Sequence, residues 1–175
     1  MYIIFMKIKL ILAINNIGVI GHDLKMLWKL SDDLKQFKKE TLNSPILMGS
    51  NTFKSLPGIL PDREHIVISS NMESNKDISV FTTIKLAMDY IQDNYNTVYV
   101  IGGAHLVKQI LHLNLFDELI ITHVDNNISG NVSIDPEILN LLDWTCYDTK
   151  EFLKSEKNEY NFKIKKYIKA HNRFY

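Results

Sequence analysis

Val98-Tyr-Val-Ile-Gly-Gly-Ala-His-Leu106 is an apolar run that ends in two glycines and passes directly into a helical pattern. A short, continuously apolar, β-branched run bounded by glycine predicts a strand buried on both faces. Glycines at its end adopt backbone angles closed to other residues and let another group approach the main chain. The helix start beyond them offers free N–H groups to an anion. The full G-x-G-x-x-G pattern is absent, and a plain tight strand-to-helix turn reads the same residues equally well.

The same arrangement recurs upstream in Ile46-Leu-Met-Gly-Ser-Asn-Thr-Phe-Lys-Ser55, where Ser50, Asn51 and Thr52 can cap the helix or hold a phosphate. Strand-like runs fall at Ile8–Ile14, Ile46–Met48, His65–Ser69, Ile78–Phe81, Thr97–Ile101 and Glu118–Val124. Helical patterns lie between them, at Asp33–Leu42, Asn51–Leu56, Thr83–Asn94 (capped by Thr82 or Thr83) and Ala104–Leu113. Strands alternating with helices predict an α/β fold: a mostly parallel central sheet flanked by about four helices. Trp144–Phe152 and Tyr160–Ile168 read as a closing C-terminal antiparallel hairpin.

The chain has 175 residues and no repeat, low-complexity tract or long Pro/Gly/Ser linker, so a single domain over 1–175 is expected. Within it, residues 1–6 read as an extension, or residues 1–5 if Met6 is the start, and 169–175 as a flexible tail. Formal net charge is zero, so nothing in it points to a nucleic-acid or anionic-membrane surface, and neither partner is expected. Lys7 and Lys9 interrupt the apolar beginning, so no membrane span or secretory leader is expected. One cysteine, Cys146, allows no intrachain disulfide and is expected as a buried, inert thiol. The six histidines show no metal-ligand spacing, and no metal is expected. Only Arg63 and Arg173 are arginine among 20 basic residues. That makes Arg63 stand out; Arg173 lies in a polar tail.

Three further features can carry chemistry. In Trp28-Lys-Leu-Ser-Asp-Asp-Leu-Lys-Gln-Phe37, Asp33 stands at a helix start and shares a face with Phe37, four residues on. A carboxylate beside an aromatic ring can grip a flat, nitrogen-rich heterocycle. Asp33 also reads as an ordinary first-turn acid favoured by the helix dipole, with Ser31 or Asp32 as the cap. Leu60-Pro-Asp-Arg-Glu-His65 presents Arg63 from a turn, suited to bidentate carboxylate binding or simply solvated. Ile68-Ser-Ser-Asn71 puts hydroxyls at a strand's C-terminal end, where open α/β sheets bind ligands.

Taken in order, these segments resemble dihydrofolate reductase from about Lys7 to Ile168. The resemblance is carried by Ala13-Ile-Asn-Asn-Ile-Gly-Val-Ile-Gly21, Leu27-Trp28, Asp32-Asp-Leu-Lys-Gln-Phe37, Met48-Gly-Ser-Asn-Thr-Phe-Lys-Ser-Leu56, Leu60-Pro-Asp-Arg63, Ile68-Ser-Ser70, Ile101-Gly-Gly103 and Ile121-Thr-His123. It implies an NADPH-dependent oxidoreductase that reduces dihydrofolate to tetrahydrofolate for one-carbon metabolism, a class targeted by antifolates. It also implies a cytoplasmic monomer whose partner is that small molecule. On the resemblance, Asp33 holds the pterin ring and helps supply its proton through water, with Thr122 and Trp28 assisting. Ile11, Ala13, Leu34, Phe37, Leu56 and Leu60 line the folate cleft, and Arg63 clamps the glutamate carboxylate. NADPH runs past Ala13, Ile20, Gly49, Ser50, Asn51, Thr52, Ser69, Ser70, Ile101, Gly102, Gly103, Ala104 and His105. The diglycine is expected to be joined by a cis peptide. Gly21–Trp28 matches the mobile loop over the reacting rings.

The chain departs from the family pattern in places. Ser50 and His105 stand where arginines often meet the cofactor's 2′-phosphate, and Lys54 lies on the same helix as Ser50 as a candidate substitute. Val107 replaces a common aromatic, Leu27 a frequent proline, and Asn131 a frequent aspartate that holds the loop closed. Altered loop dynamics or cofactor affinity are expected from these. A reductase of another pathway with this fold would lack Asp33, and a binding-only protein would not need Asp33, Thr122, Arg63 and the diglycine together.

Overall fold

The computed structural model describes residues 6–135 and 143–169. Residues 1–5, most of the expected tail, and Arg173 lie outside the described residues. In chain order the elements are β1 (Lys7–Asn15), β2 (Val19–Gly21), α1 (Ser31–Thr41), β3 (Ile46–Gly49), α2 (Ser50–Ser55), β4 (His65–Ile68), β5 (Ile78–Phe81), α3 (Ile84–Asn94), β6 (Thr97–Gly102), α4 (Ala104–His112), β7 (Glu118–Val124), β8 (Val132–Ser133), β9 (Trp144–Phe152) and β10 (Phe162–Lys169).

Eight strands form one sheet in the order β5-β4-β3-β6-β1-β7-β10-β9. Every pairing from β5 to β7 is parallel, and β10 pairs antiparallel with both β7 and β9. The expected mostly parallel α/β sheet with a closing antiparallel hairpin is therefore what forms. The central strands are apolar on both faces because helices cover both. Ile8, Leu10, Leu12 and Ile14 of β1 point into a core shared with Ala87 and Ile91 of α3 and Leu106, Val107 and Ile110 of α4. Ile11 and Ala13, at the alternate positions, face the other way, with Trp28, Phe37, Phe53, Leu56 and Leu60. The second face carries the candidate site.

Two of the three helix caps differ from the sequence reading. Thr83 caps α3 as expected, its Oγ1 accepting from Leu86 N at 3.2 Å. On α1 neither Ser31 nor Asp32 caps; Leu30 holds the N-cap position with no side-chain bond, and the helix begins at Ser31, not Asp33. On α2 the N-cap is Gly49, so Ser50, Asn51 and Thr52 make no side-chain cap. Cys146 is exposed, not buried. It lies on β9, which among the described residues pairs with β10 alone. The small β2–β8 ribbon was not readable, because three residues and two residues are too short to show a period.

Candidate active site

Asp33 sits in the first turn of α1, and the start of that helix is fastened by a distant segment. Asn158, in the β9–β10 connection and 3% exposed, accepts from Asp32 N at 3.2 Å and donates to Asp32 Oδ2 at 2.9 Å. Ser31 N donates to Lys157 O at 3.0 Å, and Lys29 N to Glu159 Oε2 at 2.8 Å. The Ser31 and Asp32 bonds satisfy N–H groups that the helix leaves unpaired, and the Lys29 bond holds the chain leading into it. They also engage Asp32, whose carboxyl is held below its ordinary range by Asn158 and then Lys35. Asp33 faces the sheet instead, on one side of the helix with Phe37 and Thr41.

There Thr122 Oγ1 donates to Asp33 Oδ1 at 2.6 Å. Thr122 is buried on β7, between Ala13 of β1 and Ile164 of β10 in register. Burial pushes the Asp33 carboxyl up, against the Thr122 bond, which favours the charged form. The walls are apolar: Ile11, Ala13, Phe37, Leu56 and Leu60 belong to the same cluster as Trp28. Leu34 stands at the margin, 59% exposed. Trp28 is 6% exposed, and its buried indole N–H has no partner among the described residues. Buried donors are normally satisfied, so this N–H is suited to an ordered water. A carboxylate with raised proton affinity, a hydroxyl beside it and apolar walls can orient a heterocycle and pass it a proton.

Arg63 lies just before β4 and reaches the end of α1. Its Nε donates to Pro61 O at 3.0 Å and its Nη1 to Thr41 Oγ1 at 3.3 Å. Nη2 is used by neither bond, and the planar guanidinium suits bidentate binding of a carboxylate.

The C-terminal ends of β3, β4 and β6 lie level: Gly49 is opposite Ile68, and Met48 opposite Gly102. Gly102 and Gly103 are joined by a cis peptide, as expected, and Gly102 has φ +126°, which favours glycine. A Cβ on Gly102 or Gly103 would lie 3.3 or 3.2 Å from Thr52 Oγ1, and one on Gly49 would lie 3.8 Å from Gly103 N. The Gly102–Gly103 turn thus packs on the Thr52 hydroxyl with the Gly49 turn beside Gly103, and two side-chain-free turns next to a helix start suit the close approach of a dinucleotide phosphate group. Ser69 Oγ accepts from Asn71 N, and Ser70 Oγ donates to Asn71 Oδ1, both at 3.2 Å. Ile101 faces the Asp33 side of the sheet, whereas Ile20 and Ala104 pack against the opposite core. His105 is exposed, its Nε2 3.0 Å from Gln109 Nε2.

The segment from Gly21 to Trp28 begins with a tight turn: His22 and Lys25 exchange backbone bonds, with Asp23 at φ 46° and Leu24 at φ 60°. Asn131 reaches it from beside β8. Its Nδ2 donates to Asp23 Oδ1 at 2.6 Å, and its Oδ1 accepts from Asp23 N at 3.1 Å. An aspartate could supply only the second of these bonds, so asparagine suits the acidic Asp23 here.

The sequence reading missed Asn158, Thr41 and His65. Spacing gave no signal for Asn158, since it acts across 126 residues. Among the described residues, no His/Cys/Asp/Glu group could hold a metal, and no helix is long and apolar enough to cross a membrane.

Comparison with known proteins gives a consistent result. A family model described as Dihydrofolate reductase matches residues 7–169. A dihydrofolate reductase of Buchnera aphidicola subsp. Schizaphis graminum is 39% identical over 159 residues, which is 90% of this chain and 96% of that one. A dihydrofolate reductase of Haemophilus influenzae is 31% identical over 157 residues, 89% of this chain and 94% of that one. Among solved structures, the dihydrofolate reductase from Enterococcus faecalis complexed with NADP(H) and RAB-propyl aligns with a TM-score of 0.83 at 29% identity. That alignment covers 95% of this chain and 98% of that one.

Proposed function

The chain belongs to the dihydrofolate reductase family, an enzyme that reduces dihydrofolate to tetrahydrofolate with NADPH, and from that premise we propose which residues do the work. NADPH, when bound, supplies the hydride. Asp33 binds the pterin edge and helps supply, through an ordered water, the proton the pterin must gain. The single observation that carries this role is the Thr122–Asp33 hydrogen bond of 2.6 Å on an apolar wall. Burial raises the proton affinity of Asp33 toward a useful range, and Thr122 fixes the direction of its oxygens. Trp28 offers its indole N–H, without a partner among the described residues, to the water beside the ring.

Ile11, Ala13, Leu34, Phe37, Leu56 and Leu60 form the cleft, and Arg63 receives the carboxylate of the glutamate tail. Ala13, Ile20, Gly49, Ser50, Asn51, Thr52, Ser69, Ser70, Ile101, Gly102, Gly103, Ala104 and His105 hold the cofactor, with the glycine turns and Thr52 at its phosphates. The segment from Gly21 to Trp28 excludes water from the reacting atoms. The protein works as a single-domain monomer in the cytoplasm.

Steady-state reduction of dihydrofolate with NADPH and with NADH tests the assignment. Asp33→Asn is expected to lower kcat by about a hundredfold or more. Unchanged activity in that variant would overturn it. Similar kcat/KM for the two cofactors would mean that Ser50 and His105 give the 2′-phosphate no grip.

A further inference from the structure

His65, the first residue of β4, is 0% exposed, and the chemistry above does not use it. Both of its ring nitrogens are committed. Nε2 accepts from the Leu60 N–H at 3.0 Å, and Nδ1 lies 3.0 Å from the Arg63 carbonyl. A carbonyl can only accept, so Nδ1 carries the hydrogen and the ring is the neutral Nδ1–H tautomer. One imidazole thus ties down both ends of the segment from Leu60 to Arg63. The packing leaves the ring little freedom: Phe53 of α2 meets it edge-on, with centroids 6.3 Å apart at 78°. Within the segment, Asp62 is held at φ 60° and its carbonyl accepts from Asn43 N at 2.9 Å. Pro61 O and Thr41 Oγ1 then receive the Arg63 side chain.

We propose that His65 is a positioning residue for substrate. By bridging Leu60 N–H and Arg63 C=O it fixes the turn that aims the Arg63 guanidinium and places Leu60 on the cleft wall, and so sets the affinity for the substrate's carboxylate tail. The inference rests on Arg63 being the carboxylate receptor. Burial pushes the imidazolium form of His65 down, which keeps the accepting Nε2 available at neutral pH.

The test compares dihydrofolate with a methyl-dihydropterin that lacks the glutamyl tail. His65→Leu removes both bonds and is expected to raise KM for dihydrofolate about tenfold, with kcat within about twofold of wild type. KM for the tail-less dihydropterin stays the same. His65→Gln keeps an acceptor for Leu60 N–H, and His65→Asn keeps a donor for Arg63 O. Each should give a KM between wild type and His65→Leu, and they carry the test if the leucine variant does not fold. Equal KM changes for both substrates, or a fall in kcat alone, would show a merely structural role and overturn the proposal. So would wild-type KM for dihydrofolate in all the variants that fold. Arg63→Gln separates the two readings. If it leaves KM for dihydrofolate unchanged, the receptor assignment fails. If it raises KM while the His65 variants do not, only the positioning role fails.

Discussion

Thr122 donates its hydroxyl hydrogen to Asp33 across 2.6 Å, and this bond opposes the effect of burial on the same carboxyl. Burial favours the protonated form and the threonine bond favours the charged one. Thr122→Val deletes the bond at nearly constant volume, so the proton affinity of Asp33 should rise further. If protonated Asp33 is needed for turnover, kcat falls as pH rises past its pKa. The descending limb of the pH–kcat profile should therefore move to higher pH in Thr122→Val, while the maximal rate drops about tenfold through lost orientation. A limb that stays in place or moves to lower pH would separate Thr122 from the proton.

The same burial has a stability consequence. The folded-state pKa of Asp33 lies above its unfolded value, so the folded protein binds that proton more tightly. Stability is then greatest below the ordinary carboxyl range and falls as pH rises through the raised value. Asp33→Asn removes the buried charge. Its Tm at neutral pH should exceed that of wild type, with the advantage shrinking in acid. Equal Tm at both pH values in calorimetry would count against a buried, charged Asp33.

Asn158 predicts a coupling between the hairpin and the site. Asn158→Ala leaves Asp32 N and the start of α1 without their partner, at a cost of about 1–2 kcal/mol in urea unfolding. It should also raise KM for dihydrofolate, because the turn that carries Asp33 is no longer pinned. A stability loss with unchanged KM would confine Asn158 to the scaffold.

Asn158 also marks the limit of what the sequence discloses. The parallel sheet was legible because β3, β4, β6 and β7 are apolar runs that end at glycines or polar turns, patterns confined to about ten residues. Asp33, Thr122, Arg63 and the diglycine stood out as a set in order, and the fold brings Asp33 against Thr122 and joins the diglycine by a cis peptide. What escaped depends on tertiary contact. The α1 cap is supplied by a residue far along the chain, so local candidates Ser31 and Asp32 misled. Cys146 was misjudged because residue type suggests burial, whereas β9 is mostly exposed and its thiol with it. His65 looked like one of six scattered histidines until the Leu60–Arg63 turn closed around it.

On the far edge of the sheet, Glu64 accepts hydrogen bonds from Ser79, Tyr90 and Tyr95. The Glu64 bond, then burial, push the Tyr95 hydroxyl up to about 12. A phenol with a folded pKa above its unfolded value near 10 supplies stability that is complete below pH of about 10 and is lost as pH rises toward about 12. Tyr95→Phe should lower stability at neutral pH and flatten the alkaline fall in urea midpoints across that window. An unchanged alkaline slope would mean that the phenol titrates without restraint.

Gly130 gives a prediction about the covering segment. A Cβ there would lie 2.5 Å from Gly21 O, 2.6 Å from Val19 Cγ1 and 3.0 Å from Leu27 Cδ1. The first of these is backbone and cannot swing aside, so even alanine must displace the segment that leads from β2 to Trp28. The adjacent Asn131–Asp23 bonds would part with it. Gly130→Ala should cost about 1–3 kcal/mol of stability and lower kcat at least about tenfold, since water reaches the reacting atoms. Asn131→Ala removes the same bonds without the collision, and it should speed hydrogen exchange at residues 21–28 with a smaller loss of kcat. Exchange confined to residues 21–28 and β8 in both variants, with the central strands unaffected, is the expected pattern. Full activity in Gly130→Ala would show that the segment can shift without opening the site.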